Sequence, residues 1–200
     1  MNKKELIMLL QGRGFPDKIV KAFKKVNREA FVPSNLQEYA YDDIALPLKR
    51  GSTISQPSTI AFMLDLLELE GKEKVLEIGS GSGYVLALLS QLTKEQIYGI
   101  EIIKELADES KKILKKYKNI SVFNKDGSKG LSSKAPYDRI IVSASFKEIP
   151  TQLYPQLKDN SILVAPVKGS IYQIKKENGE ITKREFPGFV FVPISDESIL

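Results

Sequence analysis

A glycine-rich segment between an apolar run and a helical pattern constrains the fold of this chain more than any other feature. The sequence from Leu76 to Tyr84 reads LEIGSGSGY. It follows the apolar run at 75–78 and opens a helical pattern at 84–92, which is the context that a nucleotide-binding loop requires. Glycine lets the backbone come close to a ligand where a Cβ atom would clash. The segment therefore predicts a strand, a ligand-binding loop and a helix, in that order.

The spacing of the glycines indicates which ligand the loop takes. A dinucleotide-binding fingerprint would need glycine at position 84, where this chain has Tyr84. S-adenosylmethionine carries no pyrophosphate and presents a cationic amino-acid group, to which the acid before the loop, Glu77, supplies negative charge. We therefore expect this cofactor, and the alternative is a tight turn without a ligand. The cofactor-binding residues expected in this segment are Glu77, Gly79, Ser80, Gly81 and Gly83.

Two further acids follow later apolar runs of the same kind. Glu101 lies near the end of the run at 97–102, where a carboxylate can accept hydrogen bonds from both hydroxyls of a ribose. Asp126 and Gly127 follow the run at 120–123, where the carboxylate can accept from an adenine amino group and the glycine lets the ring lie against the backbone. An ordinary Asp-Gly turn is the alternative for this pair. Three acids at the carboxyl edge of one sheet predict one nucleoside site.

The alternation of short apolar runs with helical patterns predicts the fold class. Further runs occupy 140–142 and 162–167, a helical pattern occupies 148–157, and another begins at Pro57. Strands and helices in alternation form βαβ units, so we expect an α/β fold of the Rossmann-like kind, with a mostly parallel, doubly wound sheet covered on both faces. The segments 171–175 and 189–193 lack intervening helices and predict antiparallel strands. We expect a single domain, with an N-terminal helical and loop lead (1–56), a cofactor-binding core (57–167) and C-terminal strands (168–200).

Composition removes several classes of function. The chain has no cysteine and no histidine, which excludes zinc hydrolases, Ser-His-Asp hydrolases and methyltransferases with a cysteine nucleophile. Its 30 basic and 25 acidic residues give a net charge of +5. A lysine-covered, solvated surface is the interpretation that we favour, and a groove for an acidic peptide or for nucleic acid is the alternative. No signal peptide or membrane span is evident, so we expect a cytoplasmic protein.

With these residues in view, the chain resembles the protein-L-isoaspartate O-methyltransferase family of class I methyltransferases over nearly its whole length. The most specific motif is GSTISQP at 51–57, which is similar to the family's substrate loop just before the first core helix. The glycine loop by itself would indicate only an enzyme that uses S-adenosylmethionine. The other matching motifs are EYAYDD at 38–43, LP at 46–47, APYDRIIV at 135–142, EIP at 148–150 and FVPI at 191–194.

The resemblance implies roles for particular residues. Ser55 would be the catalytic serine, with its hydroxyl on the substrate carboxylate. Ser58 is a departure, because family members often carry tyrosine or histidine at its position, and it would affect contacts with the peptide. Ser143 to Phe146 is bulkier and more polar than the family's alanine-rich stretch, and 158–161 replaces the usual turn. The other implied positions are Thr53, Ile54 and Gln56 in the cofactor and peptide cleft, and Val192 and Ile194, with Ser195 close by, as backbone partners of the peptide.

The function that the resemblance implies is methyl transfer from S-adenosylmethionine to the free carboxylate of L-isoaspartyl residues in damaged proteins and peptides. The alternative is a carboxyl methyltransferase of the same fold that acts on a specific peptide or small molecule. A nucleic-acid methyltransferase is disfavoured, since the run at 140–142 continues into Ser143-Ala144-Ser145 and not into an Asn/Asp-Pro-Pro-aromatic motif. A non-catalytic module that keeps the nucleoside pocket is a third possibility. We expect a monomer that binds isoaspartyl peptides, but no nucleic acid, membrane or metal.

Overall fold

A seven-stranded sheet organises the structure, a computed structural model that describes residues 1–194. The α-helices are α1 (Lys3–Gly12), α2 (Asp17–Lys25), α3 (Pro57–Leu66), α4 (Tyr84–Leu89) and α5 (Lys104–Leu114). The strands are β1 (Leu46–Pro47), β2 (Thr53–Ile54), β3 (Val75–Ile78), β4 (Ile97–Glu101), β5 (Ile120–Asn124), β6 (Tyr137–Val142), β7 (Leu157–Val167), β8 (Ser170–Glu177) and β9 (Glu180–Pro187). No helix within residues 1–194 combines the length and apolar character needed to cross a membrane.

The order of the strands creates the place for a site. The large sheet has the order β5-β4-β3-β6-β7-β8-β9, and strands β3 to β7 are parallel. Within this sheet, the chain first forms the central strand β3, continues outward through β4 to β5, and then returns to the other side of β3 as β6. A crevice opens at such a reversal, beyond the carboxyl ends of the two central strands. Strands β8 and β9 are antiparallel additions, as the sequence predicts for this end of the chain.

Alternate residues of the central strands pack into two different core layers. Ile141 and Val164 face a layer that contains buried side chains of all five α-helices just named, including Leu64 of α3. Ile140 and Leu163, one position earlier on the same strands, face a second layer. Because side chains of a strand point alternately to its two faces, strands buried on both sides read as continuous apolar runs. That is the pattern at 75–78 and 140–142, and it confirms the predicted fold class.

Two elements differ from the sequence predictions. The α-helix expected at 148–157 is wrong: a 3₁₀ helix occupies Thr151–Gln156, and β7 begins at Leu157. Pro155 lies inside this segment and has no N–H to donate, which shortens the helix and favours the tighter form. The strand expected at 189–193 is also wrong, because only a single bridge joins Pro193 to Ser145 there. The second antiparallel strand is β9, which is mostly exposed and carries too few apolar residues to be recognised in the sequence.

The lead before the sheet is more ordered than an irregular loop. It contains 3₁₀ helices at Arg28–Phe31 and Ser34–Tyr39, and β1 pairs with β2 as a small antiparallel ladder. This ladder delivers the chain to α3, which begins at Pro57, a residue that suits the first helical position. The carboxylate of Asp43 accepts a 2.8 Å hydrogen bond from the Ser58 N–H and so caps α3 from the lead. The lead therefore fixes the position of the segment just before α3.

Candidate active site at the carboxyl edge of the sheet

A cavity of about 390 Å³ lies at the carboxyl edge of the sheet, where the strand order reverses. Three parts of the chain form its walls: the segment between β2 and α3, the ends of β3, β4 and β6, and the segment that follows β9. The residues of this cavity that the sequence predicts as functional are Thr53, Ser55, Gln56, Gly79, Gly81, Glu101, Val192 and Ile194. The fold therefore brings most of the predicted positions together in one place.

The glycine loop is anchored on the neighbouring strand. The N–H groups of Gly79 and Ser80 both donate to the carbonyl oxygen of Ile100 in β4, at 2.8 and 2.9 Å. Gly79 and Gly81 have φ angles of 76° and 51°, in the left-handed region that side chains disfavour. These bonds hold the loop in a sharp turn with its backbone facing the cavity, as the spacing of the glycines predicts.

Gly83 shares the positive φ angle, at 84°, and has packing as a second reason to be glycine. A Cβ atom at this position would lie 2.7 Å from Cδ1 of Leu114 and 3.1 Å from Cβ of Ser110, so glycine lets α4 and α5 pack closely. Gly83 lies outside the cavity as residues 1–194 define it. The third glycine of the loop thus serves helix packing, and its predicted contact with the cofactor stays a prediction.

Glu77 is a buried carboxyl group beside the cavity. It is 1% exposed and lines a small recess of about 30 Å³ that shares Gly79, Gly81 and Ser143 with the main cavity. Its Oε1 atom accepts a 2.7 Å hydrogen bond from the Ser143 hydroxyl, whereas Oε2 has no hydrogen-bond donor within residues 1–194. Burial raises the pKa of Glu77 to about 8, a value that includes a lowering by the Ser143 hydrogen bond and a raising by the nearby Glu101 carboxylate.

Glu101 connects the glycine loop to the end of β4. Its Oε2 atom accepts a 2.7 Å hydrogen bond from the Gly81 N–H, and its Oε1 atom accepts one of 2.8 Å from the Ile103 N–H. Burial raises the pKa of this carboxyl group, and the two backbone donors oppose that effect. Glu101 reaches the cavity where the sequence predicts an acceptor for ribose hydroxyls, and each carboxylate oxygen retains a lone pair for a ligand.

Asp126 and Gly127 lie outside this cavity as the described residues form it. The Asp126 carboxylate accepts hydrogen bonds from the N–H and the hydroxyl of Ser128, at 2.8 and 2.9 Å, and closes the Asp-Gly turn that was the alternative. A Cβ atom on Gly127 would lie 2.7 Å from Cγ2 of Ile78, so this glycine serves core packing. Close contact with β3 is thus one reason for glycine at this position. The adenine roles of Asp126 and Gly127 stay predictions.

The segment between β2 and α3 brings Ser55 to the cavity. The carbonyl oxygen of Ser55 accepts a 2.9 Å hydrogen bond from Nη2 of Arg28. The next side chain, Gln56, donates from Nε2 to Asp43 and to the hydroxyl of Ser58, at 3.2 and 2.8 Å. Ser58 is 6% exposed and lies outside both the cavity and its recess, and its predicted effect on contacts with a peptide stays a prediction. Its position at the start of α3 turns it toward the lead.

The segment after β9 closes the other side of the cavity. Val192 and Ile194, predicted as backbone partners of the peptide, line it, and the Val192 carbonyl and the Ile194 N–H are both hydrogen-bonded to the backbone of Ser145, at 2.8 and 2.9 Å. These two backbone groups are therefore already paired and are not free for a peptide. Ser195, predicted to lie close by, is outside the described residues.

Sequence reasoning missed several cavity residues. Phe189 lines the cavity and stacks on Phe62 of α3, with ring centroids 5.5 Å apart and planes 6° apart. The side chain of Val190 beside it is 96% exposed. The apolar run at 189–193 was visible in the sequence but indicated a strand, so its role as a cavity wall was not foreseen. Phe146 is buried in the second core layer and does not line the cavity.

Comparison with known proteins identifies the family to which this site belongs. The family described as "Protein-L-isoaspartate(D-aspartate) O-methyltransferase" matches residues 1–199. This chain belongs to that family. Within residues 1–194, no cluster of three or more acidic, histidine or cysteine side chains is placed to hold a metal ion. The family resemblance seen in the substrate-loop and glycine-loop motifs is confirmed.

Members of the protein-L-isoaspartate O-methyltransferase family match along the full chain. The relative so named from Dictyoglomus turgidum is 43% identical over 202 residues, which cover 98% of this chain and 91% of the relative. A Plasmodium falciparum structure, described as a putative family member in complex with S-adenosyl-L-homocysteine, has a TM-score of 0.87 at 25% identity and covers 98% of this chain and 99% of its own. Another solved structure of the same name has a TM-score of 0.88 at 27% identity, covering 96% of this chain and 65% of that longer chain.

Proposed function

We propose that this chain transfers a methyl group from S-adenosylmethionine to the free carboxylate of L-isoaspartyl residues in damaged proteins and peptides. The observation that carries the proposal is that Ser55 faces the same cavity as Gly79, Gly81 and Glu101. One cavity therefore joins the expected substrate serine to the expected cofactor residues. The names of the full-length relatives support the same reaction.

The residues of the site fit S-adenosylmethionine. Glu77 Oε2 is a buried acceptor without a donor in residues 1–194, which suits the cationic amino group of this cofactor. Gly79 and Gly81 present backbone without a Cβ atom, and Glu101 suits the ribose hydroxyls. When bound, S-adenosylmethionine supplies a methyl group that its sulfonium already activates. Glu77, Gly79, Ser80, Gly81 and Glu101 would hold the cofactor, with Thr53, Ile54 and Gln56 along the cleft and Asp126 at the adenine end.

A carboxylate acceptor removes the need for a general base. It is ionised at neutral pH, so the protein has to position it and to exclude water. The Ser55 hydroxyl is a neutral donor that orients a carboxylate without protonating it. Phe189 and Phe191 cover one side of the cavity with apolar surface, which lowers the hydration of a bound peptide. Catalysis by positioning and exclusion of water requires no histidine or cysteine, and this chain has neither.

The repair reaction is preferred to a specialised carboxyl methyltransferase. The two features that motivated the alternative were Ser58 and the stretch around Phe146. The side chains of Ser58 and Phe146 are buried away from the cavity, whereas Ser143 and Ala144 of that stretch line it. The preference for the repair reaction therefore rests on the names of the full-length relatives. We extend the proposal to a monomer that acts in the cytoplasm on peptides and proteins and not on nucleic acid. Size-exclusion chromatography with light scattering tests the monomer.

The test is transfer of a labelled methyl group from S-adenosylmethionine to a short isoaspartyl peptide, with the normal aspartyl isomer as control. Base-labile label on the isoaspartyl peptide alone supports the reaction and the substrate class together. Label on neither peptide, with the cofactor bound, would reject the proposed substrate while the cofactor assignment stands.

Ser55→Ala examines the assigned serine in the same assay. We expect a loss of turnover of roughly tenfold or more, with cofactor affinity changed much less, because the hydroxyl acts on the substrate side. Ser52→Ala is the control, since Ser52 lies just before β2 and lines the same cavity, but its hydroxyl donates to the carbonyl oxygen of Lys49. Equal losses of turnover and cofactor affinity in Ser55→Ala would contradict the assignment.

A further inference from the structure

Arg28 is a cationic side chain enclosed beneath the proposed active site. Its exposed fraction is 0%, and it begins the 3₁₀ helix Arg28–Phe31 in the lead. Its Nη2 atom donates 2.9 Å to the carbonyl oxygen of Ser55, whereas Nε and Nη1 have no acceptor within residues 1–194. A buried guanidinium with two nitrogens that lack an acceptor is unusual, because buried charges are normally paired and fully hydrogen-bonded.

The second contact of Arg28 is with Tyr84, the first residue of α4. The Arg28 Cζ atom lies 5.0 Å from the centroid of the Tyr84 ring, within the range of a cation–π interaction. Tyr84 follows the glycine loop directly, and Ser55 lies in the segment between β2 and α3. Arg28 therefore contacts the cavity-lining segment that carries Ser55 and the residue that follows the glycine loop, although it does not line the cavity itself.

Fold stability does not readily explain this arrangement. The nearby carboxylate of Asp43 pairs with Arg13 at 2.8 Å, and Arg28 has no salt bridge among the described residues. Burial lowers the pKa of Arg28 to about 10, which still leaves it charged at neutral pH. An apolar side chain of similar length would fill the same space without the cost of burying a charge. We therefore relate the function of the charge to the backbone group that Arg28 binds, the carbonyl oxygen of Ser55.

We propose that Arg28 is a positioning residue that holds the carbonyl of Ser55 and thereby fixes the Ser55 hydroxyl against the glycine-loop side of the cavity. This inference rests on the proposed role of Ser55. The Ser55 carbonyl accepts a hydrogen bond from a charged donor, which fixes the orientation of the peptide plane between Ser55 and Gln56. The directions of these two side chains depend on that plane. Small displacements of a catalytic group reduce turnover strongly, so the anchor acts on the reaction without contact with the substrate.

The experiment compares Arg28→Met, Arg28→Lys and the control Phe31→Leu. Phe31 lies in the same 3₁₀ helix and packs on the Tyr84 ring at 5.4 Å, but it makes no hydrogen bond to Ser55. The measurements are kcat and KM for an isoaspartyl peptide, the Kd of S-adenosylmethionine, and hydrogen exchange of the backbone amides in 53–60 in the unliganded protein. The exchange measurement needs no turnover.

We expect Arg28→Met to fold, to bind the cofactor within roughly threefold of the unaltered protein, and to lose about tenfold to a hundredfold in kcat. Exchange in 53–60 should become faster. Arg28→Lys keeps a charged donor and should therefore recover part of the lost kcat and part of the lost protection from exchange in 53–60. Phe31→Leu should lower the melting temperature while kcat of the folded protein and exchange in 53–60 stay unchanged.

Normal kcat and normal exchange in folded Arg28→Met would overturn the proposal. The proposal would also be overturned if the losses of kcat in the Arg28 variants were fully explained by a smaller folded fraction, because a purely structural residue gives that result. If Arg28→Met does not fold, Arg28→Lys carries the same comparison. If the unaltered protein methylates no isoaspartyl peptide, the proposed function fails, whereas the exchange data still decide whether Arg28 anchors the segment.

Discussion

The hydroxyl of Ser143 donates a 2.7 Å hydrogen bond to Oε1 of Glu77 and joins the ends of two neighbouring parallel strands. Glu77 lies in β3, and Ser143 directly follows β6. The bond occupies one carboxyl oxygen and leaves Oε2 as a buried acceptor without a donor in residues 1–194. In the unliganded protein this carboxyl group is thus oriented, poorly solvated and predominantly neutral at pH 7, since its pKa is raised to about 8. A cationic ligand would favour the ionised form.

The first prediction concerns proton release on binding of S-adenosylmethionine. Between pH 6 and 7, ionisation of Glu77 should accompany binding and cost about 1.4 kcal/mol for each pH unit below its pKa of about 8. Affinity should therefore rise with pH in this range, by up to about tenfold per unit. Calorimetry in buffers of different ionisation enthalpy measures the release, and Glu77→Gln should abolish it and weaken binding. Binding without release of a proton would contradict the assignment of Glu77.

The second prediction concerns the free energy of unfolding of the unliganded protein. A carboxyl group whose pKa rises from 4.5 to about 8 on folding contributes stability below pH 4.5 and loses it as pH rises toward 8. Glu77→Gln removes this dependence, because an amide resembles the neutral acid in shape. The variant should gain stability relative to the unaltered protein as pH rises from 5 to 8, with a limiting slope of about 1.4 kcal/mol per unit. Urea unfolding at several pH values measures it, and a constant difference would refute it.

The third prediction concerns Gly81 in the glycine loop. Gly81→Val places a branched side chain at a φ angle of 51°, and we expect a loss of about 1–2 kcal/mol in stability. Cofactor affinity should fall by roughly tenfold or more, because the backbone can no longer approach the ligand. Gly12→Ala is the control, since no atom lies within 4 Å of its new Cβ at the end of α1. Calorimetry and thermal unfolding measure both effects. Unchanged cofactor affinity in Gly81→Val would refute the loop assignment.

The fourth prediction separates packing from binding at the turn after β5. Gly127→Ala should destabilise the fold by about 1–3 kcal/mol, since its Cβ atom would lie 2.7 Å from Ile78. Asp126→Ala changes an exposed side chain and should leave stability within about 0.5 kcal/mol. Thermal unfolding compares the two variants. Weaker cofactor binding by Asp126→Ala would support its adenine role, and unchanged binding would remove it.

Local patterns predicted the parts of the fold that are buried on both sides. The runs at 75–78 and 140–142 read as strands because both faces of the sheet are covered, and the glycine loop followed from its spacing. Patterns failed where burial is slight or where proline intervenes. Strand β9 lies at the exposed edge and has little apolar periodicity, whereas 148–157 has helical periodicity that Pro155 prevents from becoming an α-helix.

The sequence by itself determined the class of fold, the glycine loop and the acids at the ends of the first two strands, because each depends on residue types within about ten positions of one another. Only the tertiary structure decided which of these groups share a cavity. Gly83 and Gly127 proved to be packing glycines, since what a missing Cβ makes room for depends on elements distant in the chain. Arg28 comes to lie against Ser55 and Tyr84 for the same reason: burial and pairing of a charge are set by contacts across the folded molecule, and no local pattern encodes them.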